Sequence, residues 1–467
     1  MALIPINITG QSNTSRSRPL SAQVTQNFYA EIADNESVKS PYVLMPFFGL
    51  KRFGGSPGPG LGRGLLEHNG VLYRVSGTKL YSVDTIGVHT ELGTISGSNR
   101  CIMQGIGSSV VVVSHGRVYE YDGTSVTLGG DIDLESPQSG AHLNSRMLYD
   151  GIGGRFGVSD VGVPLSVDGL NYATAESNAD DLVRVFAHGQ NAYMMGAKTI
   201  EPWWNDGVGN PPMSRIEGAI MQVGLGALHS VGENDKSFYF LGDDSHVYQV
   251  SGLEIQSVTS TAIHGIIESF IDVSEAIGFC FTWQNQNFYC IIFPIQDRSF
   301  LYSEKTGWSE ISSKGGRTFA NSHAYVYRKH IVEDYRSGVL HEWDENTYDD
   351  AGEPQIRIRD TGPIHGGLFG KPGLTVEMDS FELIMETGVG LLDGQGKNPE
   401  IMLQFSDDGG KSWGTEFWQE IGSLGEFQHV VRWRSLGSFV ERIVRVKISD
   451  PVFCSIHSAS AELSVGI

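Results

Sequence analysis

The feature that most constrains this chain is a hairpin that returns along most of its length. Each copy has a few apolar or aromatic residues, a tight polar turn, a hydrophobic pair that often includes Tyr, and an acidic or Gly stop. The clearest copy runs Leu72-Tyr73-Arg74-Val75, Ser76-Gly77-Thr78-Lys79, then Leu80-Tyr81-Ser82-Val83-Asp84. Others fall at 110–123, 147–159, 192–203, 238–252, 279–292 and 325–344. The turns lie near residues 77, 116, 152, 196, 243, 286 and 329 or 337. This step of roughly 40–45 residues is that of a four-stranded propeller blade. The repeat sets architecture and leaves function open, because one fold hosts many functions.

Composition supports an all-β chain. Glycine is frequent, at 59 of 467 residues, and supplies the positive φ that tight hairpin turns need. Val, Ile, Tyr, Phe and Thr runs supply the strands. The best helix candidate, 262–277, is short and holds Gly265. The predicted fold is a β-propeller of six or seven blades with an additional β-sandwich-like C-terminal domain.

Three segments follow. Residues 1–60 lack the repeat and predict an N-terminal strap that packs with the C-terminal domain. Within it, 11–18 is polar, 24–31 and 42–48 carry aromatics, and a Gly/Pro-rich loop spans 54–64. Residues 61–345 hold the propeller, and 346–467 form the C-terminal β domain. Its turn-rich link, 349–354, leads into 355–360, whose strict alternation predicts a strand with one wet face. Further strands are predicted at 381–387, 400–406, 428–434, 442–449 and 454–465.

The net charge of −21 repels nucleic acid at long range, the opposite of a sequence-reading DNA binder. Two readings remain: solubility, or a surface or channel that DNA passes without sticking. Cys101, Cys280, Cys290 and Cys454 form no CxxC and read as reduced core residues of a protein made in a cytoplasm. Cys280 and Cys290 flank one hairpin, where a bridge is conceivable and unneeded. The N-terminus shows no signal peptide, and no apolar run approaches 18 residues, so no membrane insertion is expected.

Each motif that could carry chemistry also has a structural reading. Ser406, Asp408, Gly410, Ser412 and Trp413 fit an Asp-box, in which the Asp bonds turn amides, Gly takes the unusual φ and Trp packs under the hairpin. The pattern resembles turns of sialidases, where it is structural. The Arg-Ile-Pro segment usual in those enzymes is replaced by Arg215-Ile216-Glu217. Gly-x-Ser-x-Gly occurs at 54–58 and 410–414. The residue after Ser56 is Pro57, which has no amide hydrogen for an oxyanion hole, and Ser412 sits inside the Asp-box. Gly410-Lys411-Ser412 lacks the upstream glycine of a phosphate loop, having Phe405 there. His341-Glu342-Trp343-Asp344 lacks the second His of a zinc protease, and the 14 histidines show no ligand spacing. No catalytic, cofactor or metal residues are therefore assigned. Carboxylates for a glycosidase stay open, because their separation is a three-dimensional quantity.

The densest basic stretch comprises Arg432, Trp433, Arg434, Arg442, Arg445 and Lys447. It reads either as a strand with a basic wet face or as a docking interface for an acidic partner or a neighbouring copy.

Several segments then resemble, in order, the packaged-DNA stabilisation proteins of short-tailed bacteriophages, also called tail hub or nozzle proteins. They are Gln26-Asn27-Phe28-Tyr29-Ala30-Glu31 with Phe48-Gly49-Leu50-Lys51-Arg52-Phe53, and Gly62-Arg63-Gly64 leading into 71–81. Next come Met195-Gly196-Ala197-Lys198-Thr199-Ile200-Glu201-Pro202-Trp203, and Val247-Tyr248-Gln249-Val250-Ser251-Gly252 with 258–263. The last runs from Met385 through the Asp-box to Val452. Phe48 stands where the family usually has Pro. The resemblance implies a non-enzymatic virion tail protein made in the bacterial cytoplasm. It implies a homohexameric ring below the portal and adaptor that retains the genome. Such a ring docks a tail needle or plug and fibres or tailspikes, and passes DNA at ejection without binding it specifically. The rival readings are a propeller glycosidase and a glycan-binding adhesin.

Overall fold

The computed structural model describes residues 2–14, 22–32, 41–55, 60–129, 134–175 and 181–466. Residues 15–18 of the polar stretch, and the Ser56-Pro57 pair, lie outside the described residues.

The repeated hairpins become blades because each turn is built for reversal. In the first blade, Gly62–His68, Val71–Ser76, Lys79–Val83 and His89–Thr94 pair antiparallel in sequence order. Asn69 and Gly70 both take positive φ (53° and 77°), the geometry of a two-residue hairpin turn that matches strand twist. Four more four-stranded sheets follow, over 102–128, 140–174, 182–215 and 232–257. The sixth blade is Ile277–Trp283, Gln286–Phe293, Arg298–Ser303 and Gly307–Glu310. The seventh combines Ala320–Val326, Lys329–Asp334 and Leu340–Asp344 with Gly49–Arg52 from the N-terminal segment. The described residues thus form seven blades.

Each blade buries both faces against its neighbours, and one apolar cluster sits between each adjacent pair around the ring. Between the fourth and fifth blades, the connection adds Met221, Val223 and Leu225 to that cluster. Ala320–Val326 lies against Gly62–His68 and closes the ring.

The C-terminal part is a sandwich of two sheets. One holds Val376–Met385, Val431–Arg434 and Ile456–Val465, together with Ala2–Ile6, Phe28–Ile32 and Tyr42–Pro46. The other holds Arg357–Asp360, Glu441–Ile448, Glu400–Ser406 and Phe417–Glu420. Residues such as Ile6, Phe28, Leu44, Phe381, Leu403, Val444 and Leu463 fill the space between them. The second sheet continues into the propeller. Thr25–Gln26 pairs with Arg357–Asp360 on one side and with Gly307–Glu310 of the sixth blade on the other, making one ten-stranded sheet.

Three local expectations are corrected, and the cysteine reading stands. The helix spans Thr261–Glu268, capped by Ser260, and is shorter than 262–277 because the chain leaves it through turns at Ser269 and Asp272. The 279–292 copy is the first hairpin of its blade, whereas the earlier copies are the second. Its turn at Gln284-Asn285 is a two-residue reversal between apolar strands, like the turn at Gly77-Thr78, so the two hairpins look alike in sequence. The polar side of 355–360 is its buried side. Gln355, Arg357 and Arg359 are fully buried, while Ile356 and Ile358 are partly exposed. Finally, Cys280 faces Tyr289 and Cys290 faces Phe279 across the hairpin, which puts the two thiols on opposite faces of the sheet. All four cysteines are free.

Candidate functional site: turn, basic strands, seam and axial cleft

The Asp-box folds into a turn between Glu400–Ser406 and Phe417–Glu420. Asp408 Oδ1 accepts from the amides of Lys411 (2.9 Å) and Ser412 (3.0 Å), and from Ser406 Oγ (2.7 Å). Ser412 Oγ donates to Asp408 Oδ2 at 2.5 Å. These bonds, led by the Ser412 hydroxyl, hold the Asp408 carboxyl well below the usual carboxylate range. Gly410 takes φ 82°. The Trp413 ring lies under the Arg445 guanidinium, 3.7 Å from its centroid. All these contacts stay inside the turn or join it to its own sheet.

The basic stretch is divided among ion pairs within the chain. Arg432 bonds Glu382, Arg442 forks onto Asp407 (2.7 and 2.8 Å), Arg445 forks onto Asp360 (2.7 and 2.8 Å), and Lys447 reaches Glu416 (2.9 Å). Trp433 is buried in the sandwich core and donates Nε1 to Phe417 O. Arg434 is exposed and forms no ion pair among the described residues. The charge available to an acidic partner is therefore Arg434, with Phe417 and Trp418 exposed on the neighbouring edge strand.

The seam between propeller and sandwich is organised by Asn27, at positive φ (53°) and fully buried. Its Nδ2 donates to Ser312 O and Ile356 O, both at 2.8 Å, and its Oδ1 accepts from Ser312 N at 2.8 Å. Arg359 donates to Ile8 O (2.6 Å), Thr25 Oγ1 (2.5 Å) and Gln23 Oε1 (2.9 Å). Arg357 donates to Tyr348 O (2.9 Å) and Val452 O (3.1 Å). Buried guanidiniums thus tie both chain ends into one sheet.

At the face of the propeller that carries the first turn of each blade lies a cleft of about 1400 Å³. Its wall is rich in acids and aromatics, among them Glu233, Trp283, Glu304, Glu342 and Trp343. The carboxylates are engaged: Glu233 with His188, Glu304 with Tyr239, Glu342 with Lys329. His323 and His330 touch at 3.0 Å, and burial holds both well below the usual imidazole range, so both stay neutral at physiological pH. Among the described residues no group of His, Cys, Asp and Glu is arranged to hold a metal ion.

Sequence reasoning missed the seam residues and a set of arginines at the other end of the propeller axis: Arg63, Arg100, Arg184 and Arg317. These are far apart in sequence and form no local motif. Their shared signal is their phase in the repeat, at or just before the first strand of a blade.

Two family models match the chain in this order. One, described as Bacteriophage P22 Gp10, beta-propeller, covers residues 2–348. The other, described as Bacteriophage P22 Gp10, beta-sandwich, covers residues 366–464. No curated protein matches. Among solved structures, similarity is found to a streptogramin B lyase (9% identity, 63% of this chain, 97% of that chain, TM-score 0.45). A virginiamycin B lyase from Staphylococcus aureus is similar at 8% identity, with 63% and 98% covered and a TM-score of 0.44. BamB from Moraxella catarrhalis is similar at 9% identity, with 74% and 98% covered and a TM-score of 0.40. At such identities and scores these likenesses carry no argument about activity.

Proposed function

The chain belongs to the phage Gp10 family of tail-hub and packaged-DNA stabilisation proteins, and from that premise we propose that it closes the portal–adaptor channel of a short-tailed phage after packaging. In this reading identical copies form a closed, six-fold ring in the virion tail. The ring docks the tail needle and the fibres or tailspikes, and serves as the conduit at ejection. The observation that carries the proposal is that the family match runs through both regions, propeller then sandwich, over most of the chain.

Charge supports the conduit role. A net charge of −21 per copy disfavours adhesion to phosphates. Screening confines that repulsion to about 8–10 Å at physiological salt, so it acts where acids line a narrow lumen. A ring needs a heterologous contact that closes. Arg434 and the exposed Phe417 and Trp418 are our candidates for one side of it. We take 1–60 as a strap, 61–345 as the propeller and 346–467 as the sandwich domain, supported by the strands that the first segment lends to both regions. The family is a structural one, and we assign no enzymatic step.

The test uses DNA-filled heads from a phage mutant lacking this protein. Purified protein is added, and nuclease-protected DNA per particle is followed over time. The expected result is that leakage stops at a few copies per head. Equal leakage with and without protein, with no protein joining the particles, would sink the proposal.

A further inference from the structure

A groove of about 730 Å³ opens between the sandwich and the sixth and seventh blades. Trp283, Tyr348 and Phe453 present partly exposed rings to it. Phe48 backs Trp283, with ring centres 4.4 Å apart, and Phe453 meets Tyr348 edge-on at 5.9 Å. Glu31, Glu345 and Glu386 line the same groove, and no Lys or Arg does among the described residues. None of these three carboxylates forms an ion pair among the described residues; Glu386 accepts from Ser455 Oγ at 3.3 Å. Arg357, 5.3 Å from the centre of the Tyr348 ring, is fully buried and donates to the carbonyls of Tyr348 and Val452. Ring faces beside unpaired carboxylates are the surroundings that attract a guanidinium. A cleft of this size also has room for apolar side chains next to it.

The complementary surface lies on the same chain. Phe28–Ile32, which carries Glu31, is one edge of its sheet, and Val431–Arg434 is the other. Four strand spacings, roughly 19 Å, separate the two edges. Arg434 is exposed without an ion pair, and Phe417, Trp418 and Val430 are exposed beside it. Two acids lie nearby. Glu426 accepts from Ser423 N at 2.8 Å, and Glu420 stands at the far end of its strand, about 10 Å along from Phe417. A contact of like with like would set Arg434 against Arg434, or the three carboxylates against themselves, and like charges across an interface repel. Edge against groove pairs opposite charges and lays ring on ring. A contact between two different patches of one chain is heterologous and repeats from copy to copy.

We propose that the Arg434 edge of one copy seats in the groove of a second copy, head to tail. The guanidinium meets the groove's carboxylates and ring faces, and Phe417 and Trp418 cover its apolar wall. This deepens the ring reading by supplying the other side of the subunit contact, and rests on that reading only for the closure of the ring. A contact carried by one cation and a few rings belongs to the weak, reversible class.

Sedimentation equilibrium of the purified full-length protein, from micromolar to millimolar concentration, tests it. Wild type should associate reversibly, and more weakly as salt rises. Arg434→Glu, and separately Glu345→Lys with Glu386→Lys, should each weaken association about tenfold or more. All three side chains are exposed, so each variant should melt at the wild-type temperature. An equimolar mixture of the two variants should associate as wild type does, because every edge then finds a groove of opposite charge. An edge-to-edge contact would leave the groove variant associating like wild type, and a contact elsewhere would leave both variants unchanged. The proposal is overturned by either pattern, by a wild type that stays monomeric at every concentration, or by a mixture that does not recover. The head-leakage assay separates this contact from the tail reading. Association of the expected kind in a protein that fails to stop leakage removes the tail reading and leaves the contact standing. Leakage stopped equally by wild type and both variants, with association unchanged among them, keeps the tail reading and removes this contact.

Discussion

The first five blades and the seam are built by opposite strategies. Each of those blades is made from one continuous stretch, and its cores lie between neighbours in sequence. At the seam, Asn27 bonds Ser312 and Ile356, and Arg359 bonds Ile8, so the partners stand 285 to 351 residues apart. The blades are held by apolar burial between faces, worth about 1.5–3 kcal/mol for each fully buried large side chain. The seam is held by buried polar groups whose donors are met by named acceptors. The first design tolerates the loss of one hydrogen bond and suffers from a lost ring or methyl. The second tolerates little change in polarity. Long-range closure of this kind also comes late in folding, because loop-closure entropy must be met before the contact forms.

Two substitutions set the strategies against each other. Phe238→Ala empties a fully buried position between the fourth and fifth blades, where the ring sits 4.8 Å from Tyr193 and 5.0 Å from Phe186. It should cost about 3–5 kcal/mol. Differential scanning calorimetry should show the propeller transition falling and the sandwich transition staying in place. Arg359→Met keeps volume and removes donors from Ile8 O, Thr25 Oγ1 and Gln23 Oε1. It should cost about 2–4 kcal/mol and separate the two transitions more widely. If both substitutions moved both transitions equally, the two regions would be one cooperative unit and the contrast would fall.

The same contrast explains what was legible in the sequence. The blades were visible because a hairpin is local: turn residues with positive φ and flanking β-branched or aromatic residues lie within a dozen positions. The Asp-box was visible for the same reason. Register within a blade was less so, since Gln284-Asn285 and Gly77-Thr78 serve different hairpins with similar turns. The strand 355–360 misled because alternation reports two faces without saying which is wet. Arg357 and Arg359 face inward because carbonyls from 8, 348 and 452 arrive to meet them, and no local pattern announces that. The basic stretch was visible as spacing, whereas its partners Glu382, Asp407, Asp360 and Glu416 come from other strands and loops.

A pH scan sharpens the comparison at the seam. Asp350 lies beside Gly49–Arg52, buried, and accepts from Ser313 Oγ at 2.6 Å. Burial raises its pKa to about 7, against about 3.9 for an unfolded Asp. The folded state therefore holds this proton more tightly. The stability it contributes is complete below about pH 4 and declines as pH rises through about 7, with a slope of at most about 1.4 kcal/mol per unit. Asp350→Asn keeps a side-chain acceptor and has no proton to lose. Urea midpoints at pH 5 and pH 8 should differ less in this variant than in wild type. Equal pH dependence in the two proteins would remove Asp350 from the account.

The smallest effect is expected at the Asp408 turn, and its size is itself informative. Asp408 is exposed and organises only its own turn, through Lys411 N, Ser412 N and two hydroxyls. The turn is also anchored independently, by Arg442 on Asp407 and by Arg445 over Trp413. Asp408→Ala should therefore shift global unfolding less than any substitution above. Its effect should be confined to faster hydrogen exchange at the Lys411 and Ser412 amides. Because the carboxyl titrates below its ordinary value, its stabilising effect is present above the unfolded pKa and lost as pH falls through the depressed folded one. Wild type in strong acid should then show, relative to the intrinsic rate at each pH, the same low protection at these amides as Asp408→Ala shows at neutral pH. A global loss of stability as large as that of Arg359→Met would mean that the turn is wired into the seam, and that local and long-range polar networks are one system.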